Sequence, residues 1–233
     1  MSPGKIQTVL FDLDGTFADT APDLAHALNQ TLRANGHDVL EFEQIRPVVS
    51  HGGKALIELG FGITDSHPNF ELLRKQLLDF YISDIARHTQ LFNGIETLLE
   101  KLHQQNMNWG IVTNKPAWLT EPLMNSLGLA HKACSIVSGD TLEQRKPHPA
   151  PLLHAARQCG VSAESCLYIG DAERDIVAGK HAGMRTMVAN YGYIQATEAP
   201  AEWHADCYID HPDEIFDWIM LVNNEYTELK HGH

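Results

Sequence analysis

From Leu91 onward the chain alternates between two periodicities, and that alternation restricts the fold more than any other feature of its 233 residues. Residues 95–105 carry Leu98, Leu99 and Leu102 at helical spacing, and the run Trp109-Gly110-Ile111-Val112-Thr113 that follows has the length and apolarity of a buried strand. The same exchange recurs: a helix over 116–127, a strand over 135–137, a helix over 149–159, a strand over 166–170, and a helix over 175–182 closed by Gly183. Short strands are predicted over 186–189 and 207–209, and another over 9–11 near the start. Short apolar strands separated by single helices predict an α/β fold, a Rossmann-like doubly wound parallel sheet with helices on both faces.

The rhythm is broken between Thr16 and about residue 90, where no strand is predicted. Leu24, Leu28 and Leu32 recur every four residues until Asn35-Gly36. Ahead of them, Thr20-Ala21-Pro22-Asp23 offers a capping hydroxyl, a proline for the first turn and an acid at the third helical position. Further helical signals come from Phe42, Ile45 and Val49, from Leu56 and Leu59, and from Phe70, Leu73, Leu77, Tyr81 and Ile85. The expected organisation is a core of residues 1–16 and 90–233, with residues 17–89 as an inserted α-helical cap domain.

Ligands of open parallel sheets bind beyond the carboxyl ends of the strands, and four polar groups fall there. After the first strand come Asp12 and Asp14, which begin on one side of the backbone; two like charges so close repel, and burial makes each costlier. Gly15 permits a sharp turn or a close ligand. After the second strand, Thr113 and Asn114 can bind phosphate oxygens, although such residues also serve as ordinary helix caps. Lys115 is a cation where the helix dipole disfavours one, an objection that a nearby anion removes. Lys146 precedes Pro147, which points to an extended loop whose lysine is either solvated or functional. Gly170-Asp171 and Asp175 follow the fourth strand, and the two acids would share a helix face if that turn is helical. Many acids, one lysine and no His or Cys set suit Mg²⁺.

The formal charge of −13 argues against nucleic acid or an anionic membrane as partner, and makes each well-placed lysine more informative. No apolar stretch is long enough to span a bilayer, and Met1 to Gln7 lacks a signal-peptide core, so a cytoplasmic location is expected. The four cysteines show no metal spacing. Cys134 and Cys166 fall in strand-like runs and are expected as buried thiols. His231 and His233 read as a frayed tail.

In order, Asp12-Leu13-Asp14-Gly15-Thr16, Thr113, Lys146, and Gly170-Asp171 through Asp175 resemble the motifs of the haloacid dehalogenase-like phosphohydrolases. The resemblance spans essentially the whole chain, and within the family it is strongest to phosphoglycolate phosphatases. The stretches Trp109 to Pro116, Gly170 to Ile176 and Asn190 to Ile194 are also similar to N-acetylmuramic acid 6-phosphate phosphatases. The resemblance implies that Asp12 is a nucleophile forming an aspartyl-phosphate and that Asp14 carries the proton. It implies Mg²⁺ on Asp12, the Asp14 carbonyl and Asp171, with Asp175 nearby, and Thr113 and Lys146 on the phosphoryl group. Asn114 and Lys115 complete that expected set.

Phe17 stands where the family usually has leucine and is expected to affect cap packing. Ser50-His51-Gly52-Gly53-Lys54 is the glycine-rich loop of the insert, either a binding loop for an anionic part of the substrate with Lys54 as its charge or a plain turn with a solvated lysine. The expected enzyme is a small-molecule phosphatase, monomeric or homodimeric. The rivals are a sugar phosphomutase on the same scaffold and, more distantly, a non-enzymatic phosphorylation switch.

Overall fold

The computed structural model describes residues 4–231. The strands in chain order are β1 (Thr8–Phe11), β2 (Ala18–Asp19), β3 (Gln90–Leu91), β4 (Asn108–Val112), β5 (Ser135–Val137), β6 (Cys166–Gly170), β7 (Arg185–Ala189) and β8 (Cys207–Ile209). Six of them form one sheet in the order β5-β4-β1-β6-β7-β8, parallel throughout. Helices α5 (Ile95–Gln104), α6 (Ala117–Ser126), α7 (Ala150–Gln158), α8 (Glu173–His181) and α9 (Asp213–His231) supply the two outer layers.

The period-two alternation of a strand decides which residue meets which layer. Val9 and Phe11 of β1 join the apolar cluster built with α5, α6 and α9, while Leu10 between them joins the cluster built with α7 and α8. Leu167 and Ile169 of β6 split from Cys166 and Tyr168 in the same way. All four residues of β1 are fully buried, and each apolar one contributes about 1.5–3 kcal/mol relative to exposure. That two-sided burial makes these strands read as unbroken apolar runs. Phe17 packs in this core rather than against the cap: its ring stacks on Trp109 at 5.3 Å and tilts against Phe11.

The helical insert comprises α1 (Ala21–Ala34), α2 (Phe42–Ile45), a 3₁₀ turn over Arg46–His51, α3 (Gly52–Phe61) and α4 (Phe70–Ser83). Leu24, Leu28 and Leu32 of α1 pack with Leu56, Ile57, Leu73 and Leu77 in a core of its own. Two expectations are corrected here. The stretch is not free of strand, because β2 pairs antiparallel with β3 and lays the two chain crossings side by side. Thr20 does not cap α1 with its hydroxyl, which is used elsewhere, as described below. Asp23 ties the far end down instead, accepting bonds from the backbone of His88 and Thr89 and from the Thr89 hydroxyl.

The cysteine expectation is also corrected: Cys134 is bonded to Cys159 in a disulfide with a Cα–Cα distance of 5.2 Å. Cys134 lies just before β5 rather than within it, and Cys159 caps α7, so the bond ties the loop entering one element to the end of the next. Cys166, by contrast, is a buried free thiol. No helix of the described residues is long and apolar enough to cross a membrane. His231 ends α9, whereas His233 lies outside the described residues.

Candidate active site

In the sheet register Phe11 sits beside both Ile111 and Ile169, so the ends of β1, β4 and β6 are level. The Asp12 backbone amide still donates to Ile169 at 2.8 Å, carrying the strand geometry one residue further. Asp12 therefore emerges between the turns that follow its two neighbours. Asp12, Asp171 and Asp175 are all buried, and one carboxylate oxygen from each lies within 4.8 Å of the others. Asp171 precedes α8 and Asp175 lies in its first turn, so they meet across the turn rather than along a helix face.

Lys146 is the counterweight. Its ammonium is 2.9 Å from Asp12 and 2.7 Å from Asp175, with the side chain 1% exposed. It also donates to the Val112 carbonyl at 2.9 Å and to the Tyr168 hydroxyl at 2.7 Å. A buried charge needs partners of this kind, and the solvated-loop alternative for Lys146 is excluded. Asn114 fixes the loop by a reciprocal pair of bonds to the Lys146 backbone. Its amide is thus engaged with the chain, while the buried Thr113 hydroxyl accepts the Lys115 amide at 3.2 Å.

Asp14 forms a separate pair beside this cluster. Lys115 contacts its Oδ1 at 2.8 Å and the Thr20 hydroxyl donates to the same oxygen at 2.6 Å. The anion that makes Lys115 tolerable at the start of a helix is Asp14. Burial alone would lower the Lys115 pKa, but Asp14 and the Tyr81 phenol outweigh it and the net direction is upward. Gly15 has φ +83°, and a side chain there would collide with Asp171, so the turn admits only glycine.

The insert reaches the same place. The Ser50 hydroxyl lies 2.7 Å from Asp171 Oδ2 and 3.3 Å from the Asp14 carbonyl, and Arg174 donates to the Ser50 carbonyl at 2.7 Å. Arg46 donates to the carbonyls of Tyr191 and Gly192 and lies over the Tyr193 ring. Sequence reasoning placed Ser50 in the candidate cap loop but gave it no role toward Asp171, and it missed Arg46, Arg174, Tyr168 and Tyr81 as parts of this site. Only Tyr168 carried a local signal, a polar tip inside an otherwise apolar strand.

The Gly52-Gly53-Lys54 loop does open a helix, with Gly52 at φ +78°. Lys54 is exposed and ion-paired to Asp65, with Glu58 also within 3.9 Å. It lines a pocket of about 510 Å³ with Val48, His51, Ala55, Glu58 and Gln195. Burial, and then Arg174, push the His51 pKa down, so its imidazole is neutral at pH 7.

The acidic cluster suits a hard divalent cation, because its donors are all carboxylate oxygens and Lys146 and Arg174 together leave the three acids with an excess negative charge. Without a cation, burial and the charges of Asp12 and Asp175 push Asp171 up to about 7. Burial also raises Asp175, against the pull of Lys146. Between the ordinary Asp value of 3.8 and about 7, the folded protein holds an Asp171 proton that the unfolded chain has lost. In chelator, stability should therefore fall as pH rises through that window, by at most about 1.4 kcal/mol per pH unit for one proton. Denaturation of wild type and Asp171→Asn in chelator checks this: the variant should lose the slope, and Mg²⁺ should remove it from wild type.

A sequence profile described as haloacid dehalogenase-like hydrolase matches residues 9–189. The chain is 40% identical over 211 residues to a phosphoglycolate phosphatase of Xanthomonas campestris pv. campestris, covering 91% of this chain and 95% of that one. It is also 40% identical over 214 residues to an N-acetylmuramic acid 6-phosphate phosphatase of Pseudomonas aeruginosa, covering 91% and 94%. Among solved structures it is similar to a predicted phosphoglycolate phosphatase from Haemophilus somnus. The TM-score is 0.81 at 24% identity, over 92% of this chain and 98% of that one.

Proposed function

The chain belongs to the haloacid dehalogenase-like hydrolase family, and we propose that it is a Mg²⁺-dependent phosphomonoester hydrolase acting through an aspartyl-phosphate on Asp12. One observation carries the reading: Lys146 joins Asp12 and Asp175 beside Asp171 at the carboxyl edge of the sheet, all buried. Such a concentration of buried charge is costly without a task.

In this reading an Asp12 carboxylate oxygen attacks phosphorus, and the bond to the leaving oxygen breaks as Asp14 gives that oxygen a proton. Asp14 then takes a proton from the water that cleaves the aspartyl-phosphate, which restores both acids and releases phosphate. Lys146, held by Val112 and Tyr168, offsets charge on the phosphoryl oxygens with Thr113. Lys115 and Thr20 hold Asp14 toward the leaving group, and Asn114 fixes the lysine loop. The carboxylates of Asp12 and Asp171 and the Asp14 carbonyl would hold Mg²⁺, with Asp175 nearby. When bound, the metal supplies positive charge to the transferring phosphoryl group.

Residues 17–89 act as the cap, whose loop from Ser50 through Gly52, Gly53 and Lys54 meets the acidic cluster at Ser50 and borders a pocket lined by Val48, His51, Lys54, Ala55, Glu58 and Gln195 that has room for the outer part of a large substrate. Similarity to phosphoglycolate phosphatases supports phosphoglycolate as substrate. A second reading, N-acetylmuramic acid 6-phosphate, is favoured by the pocket's volume of about 510 Å³, which is ample for a sugar. Phosphate release from the two compounds, assayed in parallel with Mg²⁺ and with chelator, tests the proposal; no release from either would overturn it.

Because Asp65 and Glu58 already match its charge, Lys54 should contribute shape rather than a free cation. Lys54→Ala is expected to change KM for phosphoglycolate by less than about threefold, as is usual for exposed ion pairs. A tenfold rise would mean that its ammonium binds the substrate directly.

A further inference from the structure

Among the described residues, two buried side-chain polar atoms have no hydrogen-bond partner, the hydroxyls of Thr8 and Tyr81. Tyr81 belongs to α4 of the cap and is 1% exposed. Its oxygen interacts with the Lys115 ammonium, but its O–H has no acceptor among the described residues, and a buried donor left unpaired costs about 1–3 kcal/mol. The surroundings of this hydroxyl say what it is kept for. The Lys115 ammonium lies over the Tyr81 ring, 4.6 Å from its centre, and is itself 2.8 Å from Asp14. Tyr81 thus meets the core beside the proton-carrying acid, on the leaving-group side of the proposed reaction.

We propose that the Tyr81 hydroxyl is a specificity-determining contact that donates a hydrogen bond to an oxygen of the substrate's leaving group, a carboxylate or a hydroxyl. The inference rests on the phosphatase reading and deepens it. The direction of the bond follows from the charges. With an ammonium against its ring, the phenol turns its lone pairs toward the cation and its O–H away. Burial above all pushes the phenol pKa up to about 12, so the proton stays in place at neutral pH. Asp14 already matches the charge of Lys115, so the spot selects by hydrogen bonding: an oxygen acceptor suits the O–H, and an ammonium or a purely apolar leaving group does not. Substrate binding would then supply the partner that the fold withholds.

The test is Tyr81→Phe, assayed on phosphoglycolate, on N-acetylmuramic acid 6-phosphate, and on ethyl phosphate, which has two carbons but no acceptor beyond the ester oxygen. The variant should lose about 10–100-fold in kcat/KM on at least one acceptor-bearing substrate, the span of a hydrogen bond to a charged or strongly polar oxygen. The loss on ethyl phosphate should be at least about fivefold smaller, so that the variant's preference for the acceptor-bearing substrate falls, and the thermal midpoint should stay close to that of wild type. Equal losses on all three substrates would overturn the inference, since the hydroxyl would then act only through Lys115 and Asp14. No loss on any substrate would also overturn it. A wild type inactive on every phosphomonoester would instead remove the phosphatase reading itself, so the two failures are distinguishable.

Discussion

Asp12→Asn should abolish phosphate release, lowering kcat by about 10⁴-fold or more, while leaving the fold intact. The size follows from what the substitution removes: the amide keeps the shape of the side chain but is no nucleophile, and losing a covalent nucleophile costs on this order. The fold should tolerate it for electrostatic reasons. Asp12 is one of three buried carboxylates, and its charge is among the causes that raise Asp171 and Asp175. Removing it relieves that repulsion, and Lys146 keeps Asp175 at 2.7 Å. A steady-state phosphate assay beside a thermal melt checks both halves. Residual activity within tenfold of wild type would show that another group attacks phosphorus.

Lys146→Met should produce the largest loss of stability that a single substitution at the site can cause. Methionine nearly matches the volume, so packing survives, but Asp12 and Asp175 lose the one ammonium that contacts them among the described residues. Asp12 and Asp175 would be left uncompensated, and Val112 and the Tyr168 hydroxyl would each lose a donor. Breaking a buried pair by removing one partner typically costs about 3–5 kcal/mol. Urea denaturation in chelator should read a loss of that size, and activity should disappear with it. Mg²⁺ should restore part of the stability, because a bound cation replaces some of the missing positive charge. A variant as stable as wild type in chelator would mean that the acids are protonated in the folded protein and that Lys146 is not their counterion.

The parallel sheet was legible because its strands are buried on both faces and separated by helices of ordinary length. The acids at the ends of β1 and β6 and the lysine loop after β5 followed from the same reading, since strand ends converge at one edge. What stayed hidden depends on pairings between distant parts of the chain. Thr20 has the position and chemistry of a helix cap, yet its hydroxyl goes to Asp14, because the turn after β1 brings a charged acceptor within 2.6 Å. Ser50 and Arg174 lie 124 residues apart and meet because the insert folds back over the sheet edge. Cys134 and Cys159 have no diagnostic spacing, and only the return of α7 beside β5 brings them together. The two residues of β2 are too few to show a period. Tyr81 reads as one more apolar residue on the α4 stripe, since burial is visible in the helical spacing but an unpaired hydroxyl is not.

The central claim is that Asp12 becomes phosphorylated and then released. Acid-quenching a single turnover of a phosphomonoester with Mg²⁺, followed by peptide mass mapping, tests it most directly. A phosphoryl group on Asp12 that disappears as free phosphate appears, and that is absent in chelator and in Asp12→Asn, is the expected result. Phosphate release with no adduct on Asp12 at any quench time, or an adduct on another residue, would contradict the account.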